Sequence, residues 1–254
     1  MKLSLPDVDV SAYKSATQVG RIITEAWGVQ NLYCVGCQAS RLLQTPVNAR
    51  AVDFRCGTCD ELYQLKSGKT LPKARIVDAA YDAMISSIRS ERAPNLFYLH
   101  YDITEGVRDL LLIPRFFFTE GCIERRAPLG PGARRAGWVG CNIRLDRIPP
   151  EGRIAVVKSS VAMDTTWVRA QFAKMGALKN QSGEARGWTL AVLLELHHLG
   201  VEVFTIEQAY ALEPVLQAKF PKNNNVRPKI RQQLQVLRDM GILTFLGGGN
   251  YRFE

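Results

Sequence analysis

The sequence contains two pairs of cysteines with the spacing of a structural zinc site. Cys34 and Cys37 form one C-x2-C motif, and Cys56 and Cys59 form another, with 18 residues between the pairs. A C-x2-C turn directs two thiolates at one metal ion, and four such ligands satisfy the tetrahedral preference of Zn²⁺. Because all four positions are cysteine, no coordination position is left for a water molecule. We therefore expect a structural Zn²⁺ rather than a catalytic one.

A second group of residues lies on either side of the second cysteine pair. Asp53 precedes it, and the tripeptide Gln64-Leu65-Lys66 follows it. Alternation along a strand places Gln64 and Lys66 on one face and Leu65 on the other. A carboxylate with an amide or carbonyl oxygen can hold Mg²⁺, and a nearby ammonium can orient an attacking water. This is the pattern of a PD-(D/E)XK nuclease with Gln64 at the position of the second acidic residue, although a solvated hairpin face would give the same spacing.

A basic block with one aromatic residue lies in the middle of the chain. Arg134 and Arg135 are followed by Gly137, Trp138 and Asn142. Glycines allow the backbone to approach a phosphate closely, and a tryptophan can stack on a base or line a pocket for it. The alternative for Trp138 is an ordinary core position. As DNA-binding residues in this block we assign Arg134, Arg135, Trp138 and Asn142.

A helix near the C-terminus presents a polar face. Ile230, Leu234 and Leu237 form its apolar stripe. The outward positions are Lys229, Arg231, Gln232, Gln235 and Arg238. Arginine and glutamine are the side chains that bind guanine and adenine edges in a major groove, so we assign these five residues to DNA binding. A solvated helix that packs against another protein is the alternative.

The composition is that of a folded, basic protein. Of its 254 residues 46% are hydrophobic and 22% charged, which excludes intrinsically disordered, collagen-like and coiled-coil chains. No apolar run reaches the roughly 18 residues of a membrane span, and no signal peptide is evident, so we expect a cytoplasmic protein with no membrane partner. The net charge is +9, and residues 121–186 alone carry 12 basic and 5 acidic residues. This distribution favours phosphate binding by the middle of the chain.

Apolar periodicity predicts the elements that must position these residues. Helices are expected over 12–30 and 73–91, strands at 52–55, 62–66, 96–99, 110–113 and 154–157, and a loop over 121–150. This order predicts an α/β fold. Further helices are expected over 189–199, 206–219 and 227–240, with N-caps at Thr189 and Thr205, and a hairpin follows with a turn at 247–249. Three helices and a hairpin describe a winged helix, so we predict domains at 1–182 and 183–254.

Four segments together resemble one protein family. They are Val52-Asp53-Phe54-x-Cys56-x2-Cys59, Leu65-Lys66-Ser67, the block 133–143 and the segment 229–239. They resemble the DpnI-like methyl-directed (type IIM) restriction endonucleases, and the resemblance extends over the whole chain. It implies a PD-(D/E)XK nuclease domain with an inserted four-cysteine zinc site, followed by a winged-helix DNA-binding domain.

The resemblance also implies an activity and its residues. Such enzymes cleave double-stranded DNA at GATC when the adenine carries an N6-methyl group. Asp53 and Lys66 match the catalytic aspartate and lysine, the four cysteines match the zinc ligands, and Trp138 matches the tryptophan that contacts the methylated adenines. Gln64 departs from the family, which has glutamate there. We expect Asp53, Gln64 and the Leu65 carbonyl to bind Mg²⁺, and the protein to be monomeric.

The departure at Gln64 leaves a second hypothesis open. A neutral amide gives the metal one negative charge less, which lowers its affinity. The alternative to a nuclease is therefore a weakened or inactive methyl-DNA-binding regulator, built from a zinc ribbon and a winged helix.

Overall fold

The computed structural model describes residues 1–46 and 52–254. Within those residues the chain forms two compact units, which are described separately below. The first comprises Met1–Asp146 and Pro150–Ala173, and the second comprises Arg147–Pro149 and Lys174–Glu254. The sequence-predicted boundary between residues 182 and 183 falls inside the second unit and stays a prediction.

The first unit is mixed α/β. In chain order its elements are α1 (Ala16–Asn31), β1 (Leu43–Gln44), β2 (Phe54–Arg55), β3 (Leu62–Gly68), β4 (Arg75–Ala80), α2 (Tyr81–Arg89), β5 (Asn95–Asp102), β6 (Gly106–Ile113), β7 (Ile123–Arg125), β8 (Gly140–Arg144), β9 (Ile154–Lys158), β10 (Val161–Ala162) and α3 (Thr165–Lys174). The large sheet has the order β1-β2-β3-β5-β6-β9-β10, and a smaller sheet has the order β4-β8-β7. The predicted α/β class is confirmed.

The centre of the large sheet is the parallel pair β3 and β5. Their register places Lys66 beside Tyr98 and Tyr63 beside Asn95. Leu96, Phe97 and Leu99 of β5 are all buried, so side chains on both faces of this strand belong to the core. A strand covered on both faces reads as a continuous apolar run, which is why its position was predictable from the sequence. The parallel connection from β3 to β5 passes through β4 and α2.

Helix α1 packs closely against one face of β3. A side chain at Gly28 would place its Cβ 2.8 Å from Cζ of Phe54 and 3.3 Å from Cδ2 of Leu65. Glycine at this position therefore allows the helix to approach the sheet. On the same helix, the Thr24 hydroxyl lies 3.0 Å from the Ser67 hydroxyl. The predicted helix over 12–30 is confirmed, and it begins at Ala16.

The helix predicted over 73–91 is half wrong. Arg75–Ala80 is the strand β4, and only Tyr81–Arg89 is helical. In β4 the side chains at Ile76 and Asp78 are buried while those at Arg75 and Val77 are exposed. This alternation has a period of two, as expected for a strand. Because the apolar residues of α2 follow directly, the apolar positions of the strand and the helix taken together resembled the spacing of one long helix. The segment predicted as a loop over 121–150 also contains the strands β7 and β8.

The second unit has helices packed with a small antiparallel sheet. Its elements are α4 (Gly183–His198), β11 (Val203–Thr205), α5 (Ile206–Tyr210), α6 (Glu213–Lys219), α7 (Val226–Asp239), β12 (Leu243–Gly247) and β13 (Asn250–Phe253), with the strand order β11-β13-β12. The glycine turn between β12 and β13 is confirmed, and Gly247, Gly248 and Gly249 all have positive φ. Such angles favour glycine because it has no Cβ.

The predicted helix starts in this unit have mixed outcomes. Thr205 caps α5 in a reciprocal arrangement with Gln208, as expected. The cap predicted at Thr189 is wrong, because α4 begins at Gly183 and is capped by Ser182. Thr189 lies inside α4 and is buried, and its hydroxyl donates to Oε1 of Gln233 in α7 at 2.7 Å. Among the residues that the structure describes, none of the helices has the length and apolarity needed to span a membrane.

Candidate active site

The four paired cysteines converge at one point. Their sulfur atoms all lie within 4.8 Å of one another. The Sγ atoms of Cys34 and Cys59 are 3.5 Å apart, and those of Cys37 and Cys56 are 3.6 Å apart. In a tetrahedral site with Zn–S bonds of about 2.3 Å, neighbouring sulfurs are about 3.8 Å apart. The donor set and its spacing therefore fit a zinc ion.

This cluster joins two elements that are distant in sequence. The first cysteine pair follows the end of α1, and the second lies in the connection from β2 to β3, where the Cys56 N–H donates to the Glu61 carbonyl at 2.9 Å. Arg169 of α3 donates to the carbonyls of Cys34 and Ala39 at 3.1 and 3.2 Å. A metal at this point would hold the β2–β3 hairpin, and with it the residues that follow, against the rest of the unit.

Asp53 lies against the edge of β3. Its backbone N–H donates to the Tyr63 carbonyl at 2.9 Å, and its Oδ2 accepts the Leu65 N–H at 2.7 Å. In a β-strand the N–H and C=O groups of one residue point to the same edge. The Leu65 carbonyl is therefore directed to the edge of β3 on which Asp53 lies.

Gln64 and Lys66 converge on a carboxylate that the sequence pattern did not single out. Nε2 of Gln64 donates to Oδ1 of Asp78 at 3.2 Å, and Nζ of Lys66 lies 2.9 Å from the same oxygen. The side chain of Asp78 is only 2% exposed, whereas that of Lys66 is 29% exposed. Asp78 belongs to β4, so the small sheet contributes this acid and the large sheet contributes the residues that contact it.

Burial raises the pKa of the Asp53 carboxyl from its ordinary value of 3.8, while the Leu65 N–H and the Lys66 ammonium act in the opposite direction. Burial likewise raises the pKa of Glu25 on α1, against the effect of Arg21, and the charge of Asp53 adds to this increase. Negative charge from Asp78 also acts on Asp53. Carboxylates confined in this way are stabilised in their ionised form by a nearby cation.

The donors around this part of β3 are all oxygen atoms. They are the Asp53 carboxylate, the Leu65 carbonyl and the Gln64 amide oxygen. Mg²⁺ prefers hard oxygen ligands and is commonly held by one or two carboxylates with waters completing the shell. Oxygen donors of this type could hold a magnesium ion. The Lys66 ammonium belongs to the same strand and is paired with Asp78.

The arginine-rich block is the loop of the β7–β8 hairpin. Two backbone hydrogen bonds of 2.9 Å close this loop, one from the Leu129 N–H to the Trp138 carbonyl and one from the Gly137 N–H to the Leu129 carbonyl. Arg134 and Arg135 are exposed, and the guanidinium of Arg135 lies 4.8 Å from the centre of the half-buried Trp138 ring. The loop thus presents a cation and an aromatic ring together, which is a suitable surface for a phosphate and a base.

Gly140 provides the space for the Trp138 ring. A Cβ at this position would lie 2.7 Å from the outer edge of the ring. The ring therefore rests on the first residue of β8, and any larger residue at position 140 would displace it.

The candidate reading helix of the second unit is α7. Ile230, Leu234 and Leu237 are fully buried. The outward residues are exposed at Arg231, Gln232, Gln235 and Arg238 and half-buried at Lys229. The helix has the polar and apolar faces that its sequence predicted.

Comparison with known protein families agrees with this architecture. A family model described as DpnI, the Dam-replacing family, matches residues 1–181. A second model, described as the Dam-replacing HTH domain of DpnI, matches residues 184–253. The chain belongs to the DpnI family. The resemblance stated from sequence is confirmed, and membership supports a methyl-directed restriction enzyme with a DNA-binding helix-turn-helix domain.

In this DpnI-family protein Asp53 contacts the backbone of Leu65, while the side chains of Gln64 and Lys66 contact Asp78, and the assignment of Asp53, Gln64, Leu65 and Lys66 to one catalytic site stays a prediction. Asn142 is different from the other assigned residues of its block. Its Nδ2 donates to Oε2 of Glu124 at 2.8 Å, directly across the β7–β8 ladder. A DNA-binding role for Asn142 stays a prediction, and it would require this side chain to exchange an intramolecular partner for a base or phosphate.

Sequence reasoning missed Asp78 because residues 73–91 were interpreted as one helix. If residues 73–91 formed a helix, Asp78 would lie on its polar, solvent-exposed face. On a strand, the same aspartate shares the buried face with Ile76. An acidic residue at a core position of a strand would have indicated a functional or ion-paired carboxylate.

Proposed function

We propose that this DpnI-family protein is a Mg²⁺-dependent type II restriction endonuclease of the PD-(D/E)XK class that cleaves double-stranded DNA carrying N6-methyladenine in GATC. The observation that supports the proposal is the hydrogen bond of 2.7 Å from the Leu65 N–H to the Asp53 carboxylate, which places this acid beside the strand that contains Gln64 and Lys66. We assign catalysis and DNA binding to the predicted domains: residues 1–182 form the nuclease with its zinc-binding segment 34–59, and residues 183–254 form a DNA-binding winged helix.

The catalytic residues have separate tasks. Asp53, the Gln64 amide oxygen and the Leu65 carbonyl would hold Mg²⁺, which supplies charge stabilisation for the phosphate and activates water. Lys66 orients the attacking water and stabilises negative charge that develops on the phosphate oxygens. One site per chain cuts one strand in each binding event. We propose a cytoplasmic monomer that acts on both strands in succession.

Methyl recognition needs more than one contact. Burial of one methyl group contributes about 0.8 kcal/mol, whereas a thousandfold preference requires roughly 4 kcal/mol. A GATC site methylated on both strands offers two methyl groups, and both domains can read it. In the nuclease domain Trp138, with Arg135 over its ring, is the proposed methyl contact. In the winged helix the proposed contacts are Lys229, Arg231, Gln232, Gln235 and Arg238.

A binding-only regulator is the second candidate, and one observation favours it. The amide of Gln64 gives the metal site a neutral ligand where the family pattern has an acid. The presence of Lys66 on β3 and of Asp53 hydrogen-bonded to the same strand favours the nuclease.

Plasmid cleavage separates the two candidates. The protein with Mg²⁺ is incubated with one plasmid prepared in adenine-methylated and unmethylated forms, and ends are mapped by sequencing. We expect cuts confined to methylated GATC. Lys66→Met should abolish cutting while DNA binding remains, and Lys69→Met is the matched control because Lys69 is exposed beyond β3. Binding of methylated DNA without any cut by the wild-type protein would refute the nuclease and leave the regulator.

A further inference from the structure

Asp78 is a buried carboxylate with two donors on one oxygen. Its Oδ1 accepts from Gln64 at 3.2 Å and pairs with Lys66 at 2.9 Å, and its side chain is 2% exposed. A buried ionised carboxylate requires such partners, because removal from water is otherwise strongly unfavourable. Both partners are residues that the proposed function places at the site, so Asp78 is connected to the chemistry through them.

The chemistry of this contact fixes the orientation of the Gln64 amide. A carboxylate paired with an ammonium only accepts hydrogen bonds, so the amide must present its NH2 group to Asp78. Its oxygen is then turned away from Asp78. Mg²⁺ takes oxygen ligands and not amide nitrogen. An amide held in the opposite orientation would place NH2 where the metal requires a lone pair.

The position of Asp78 is set by a strand ladder. In the register of the small sheet Asp78 of β4 lies opposite Cys141 of β8, and Val77 lies opposite Asn142. Asp78 is the last paired residue before the ladder shifts register between Asp78 and Ala80, so the oxygen that receives Gln64 and Lys66 is held by a strand and not by a loop. A rigid acceptor of this kind can orient a side chain that would otherwise rotate freely.

We propose that Asp78 is a positioning residue of this site. It accepts the Gln64 NH2 group, which directs the amide oxygen toward the metal, and it pairs with the Lys66 ammonium. Asp78 thereby allows a glutamine at position 64 to serve as a metal ligand. The proposal rests on the proposed function for its Mg²⁺ and its cleavage. It also implies that glutamate is unfavourable at position 64 of this chain in the absence of a cation, since it would place a second carboxylate oxygen about 3.2 Å from Oδ1 of Asp78.

The test measures the affinity of Mn²⁺, a spectroscopic substitute for Mg²⁺, by titration calorimetry and electron paramagnetic resonance on the full-length zinc-loaded protein without DNA. Asp78→Asn has the same shape but can donate to the amide oxygen and reverse the amide. We expect Mn²⁺ affinity to fall by at least about tenfold, the lower end of the range for groups that orient metal ligands. The matched control is Asp109→Asn, because Asp109 is also a partly buried aspartate of the first unit, with its Oδ2 in hydrogen-bond contact with His100. Its Mn²⁺ affinity should be unchanged.

A double substitution provides the rescue. Gln64→Glu with Asp78→Asn rebuilds one acid and one amide with their positions exchanged, and we expect its Mn²⁺ affinity to return at least to the wild-type value. If Asp78→Asn does not fold, the double variant still decides, because the proposal expects it to fold and bind. A folded Asp78→Asn with wild-type affinity, or a double variant that binds no better than Asp78→Asn, would overturn the role of Asp78.

Failure of this proposal and failure of the proposed function give different results. If the wild type cuts no DNA but the Mn²⁺ affinities follow the expected pattern, the nuclease is refuted and Asp78 retains its role. If methylated DNA is cut equally by the wild type and Asp78→Asn, and both bind Mn²⁺ equally, the role of Asp78 is refuted and the nuclease remains. A wild-type protein that binds no Mn²⁺ would refute both.

Discussion

Replacement of Gln64 by glutamate should destabilise the protein when divalent cations are scarce and stabilise it when they are present. The substitution replaces the N–H donor that Asp78 accepts at 3.2 Å with a second negative charge. Two unit charges at that separation repel by about 5 kcal/mol at an effective dielectric constant of about 20. Rotation of the introduced carboxylate to about 4.5 Å would lower this to about 4 kcal/mol.

Lys66 offsets part of that repulsion. Its ammonium lies 2.9 Å from Oδ1 of Asp78 and can share its charge with a carboxylate introduced at position 64. If this recovers about half of the repulsion, the net loss is about 2 kcal/mol, which in a protein of this size lowers Tm by about 4–8 °C. A divalent cation bound by the introduced carboxylate and Asp53 reverses the sign, because it neutralises the charge that caused the loss.

Thermal melting of the zinc-loaded protein, with and without millimolar Mg²⁺, measures both effects. No chelator is used, so that the cysteine cluster stays intact. We expect Gln64→Glu to melt lower than the wild type without Mg²⁺, to gain more Tm from Mg²⁺ than the wild type, and to cleave faster at limiting Mg²⁺. Gln44→Glu, at an exposed position of β1 in the same sheet, is the matched control. Equal melting of Gln64→Glu and wild type in both conditions would refute the expected repulsion between a carboxylate at position 64 and Asp78.

Other contacts lead to four more expectations. Removal of zinc, or Cys37→Ser, should unfold the β2–β3 hairpin and abolish cleavage, measured by circular dichroism and plasmid cutting; retained cutting by zinc-free protein would contradict it. Trp138→Ala should reduce the preference for methylated over unmethylated DNA more than it reduces affinity for bulk DNA; a filter-binding assay showing equal loss for both would refute the methyl contact. Gly28→Ala should cost about 1–3 kcal/mol of unfolding free energy through overpacking against Phe54; an unchanged denaturation midpoint would count against this close packing. Burial raises the pKa of Glu195, but hydrogen bonds from Lys219 and His198 outweigh this effect and lower the pKa below 4.5. The ionised Glu195 therefore stabilises the fold at neutral pH, and this stabilisation is lost as the pH falls below 4.5, so Glu195→Gln should weaken the dependence of unfolding free energy on pH in that range. An unchanged pH dependence of unfolding below pH 4.5 would exclude this role.

Much of the site was predictable because its parts are local in sequence. The cysteine pairs and the segment from Asp53 to Lys66 lie within a few tens of residues. The spacing of two C-x2-C motifs and the alternation of one strand are enough to place them together. The buried strands β5, β6 and β9 were predictable for the same reason, since each reads as a continuous apolar run.

The contacts that were not predictable depend on pairing between distant segments. Asn142 meets Glu124 only because β7 and β8 pair in the register that places them opposite each other. Asp78 reaches Lys66 only because β4 is a strand of a second sheet. Thr189 lies in mid-helix because α4 starts more than one turn earlier, and its bond to Gln233 requires the packing of α4 on α7. Local periodicity contains no information about any of these partners.

The excess of basic residues in 121–186 overstates the positive charge that can bind DNA, because some of these side chains pair within the protein. Arg144 pairs with Glu124 and Asp146, and Arg169 donates to carbonyls beside the cysteine cluster. These arginines maintain the fold. Arg134 and Arg135 remain exposed on the β7–β8 loop. Since only cations that can reach phosphates release counterions from DNA, the salt dependence of binding should reflect the exposed loop rather than the full surplus of the segment.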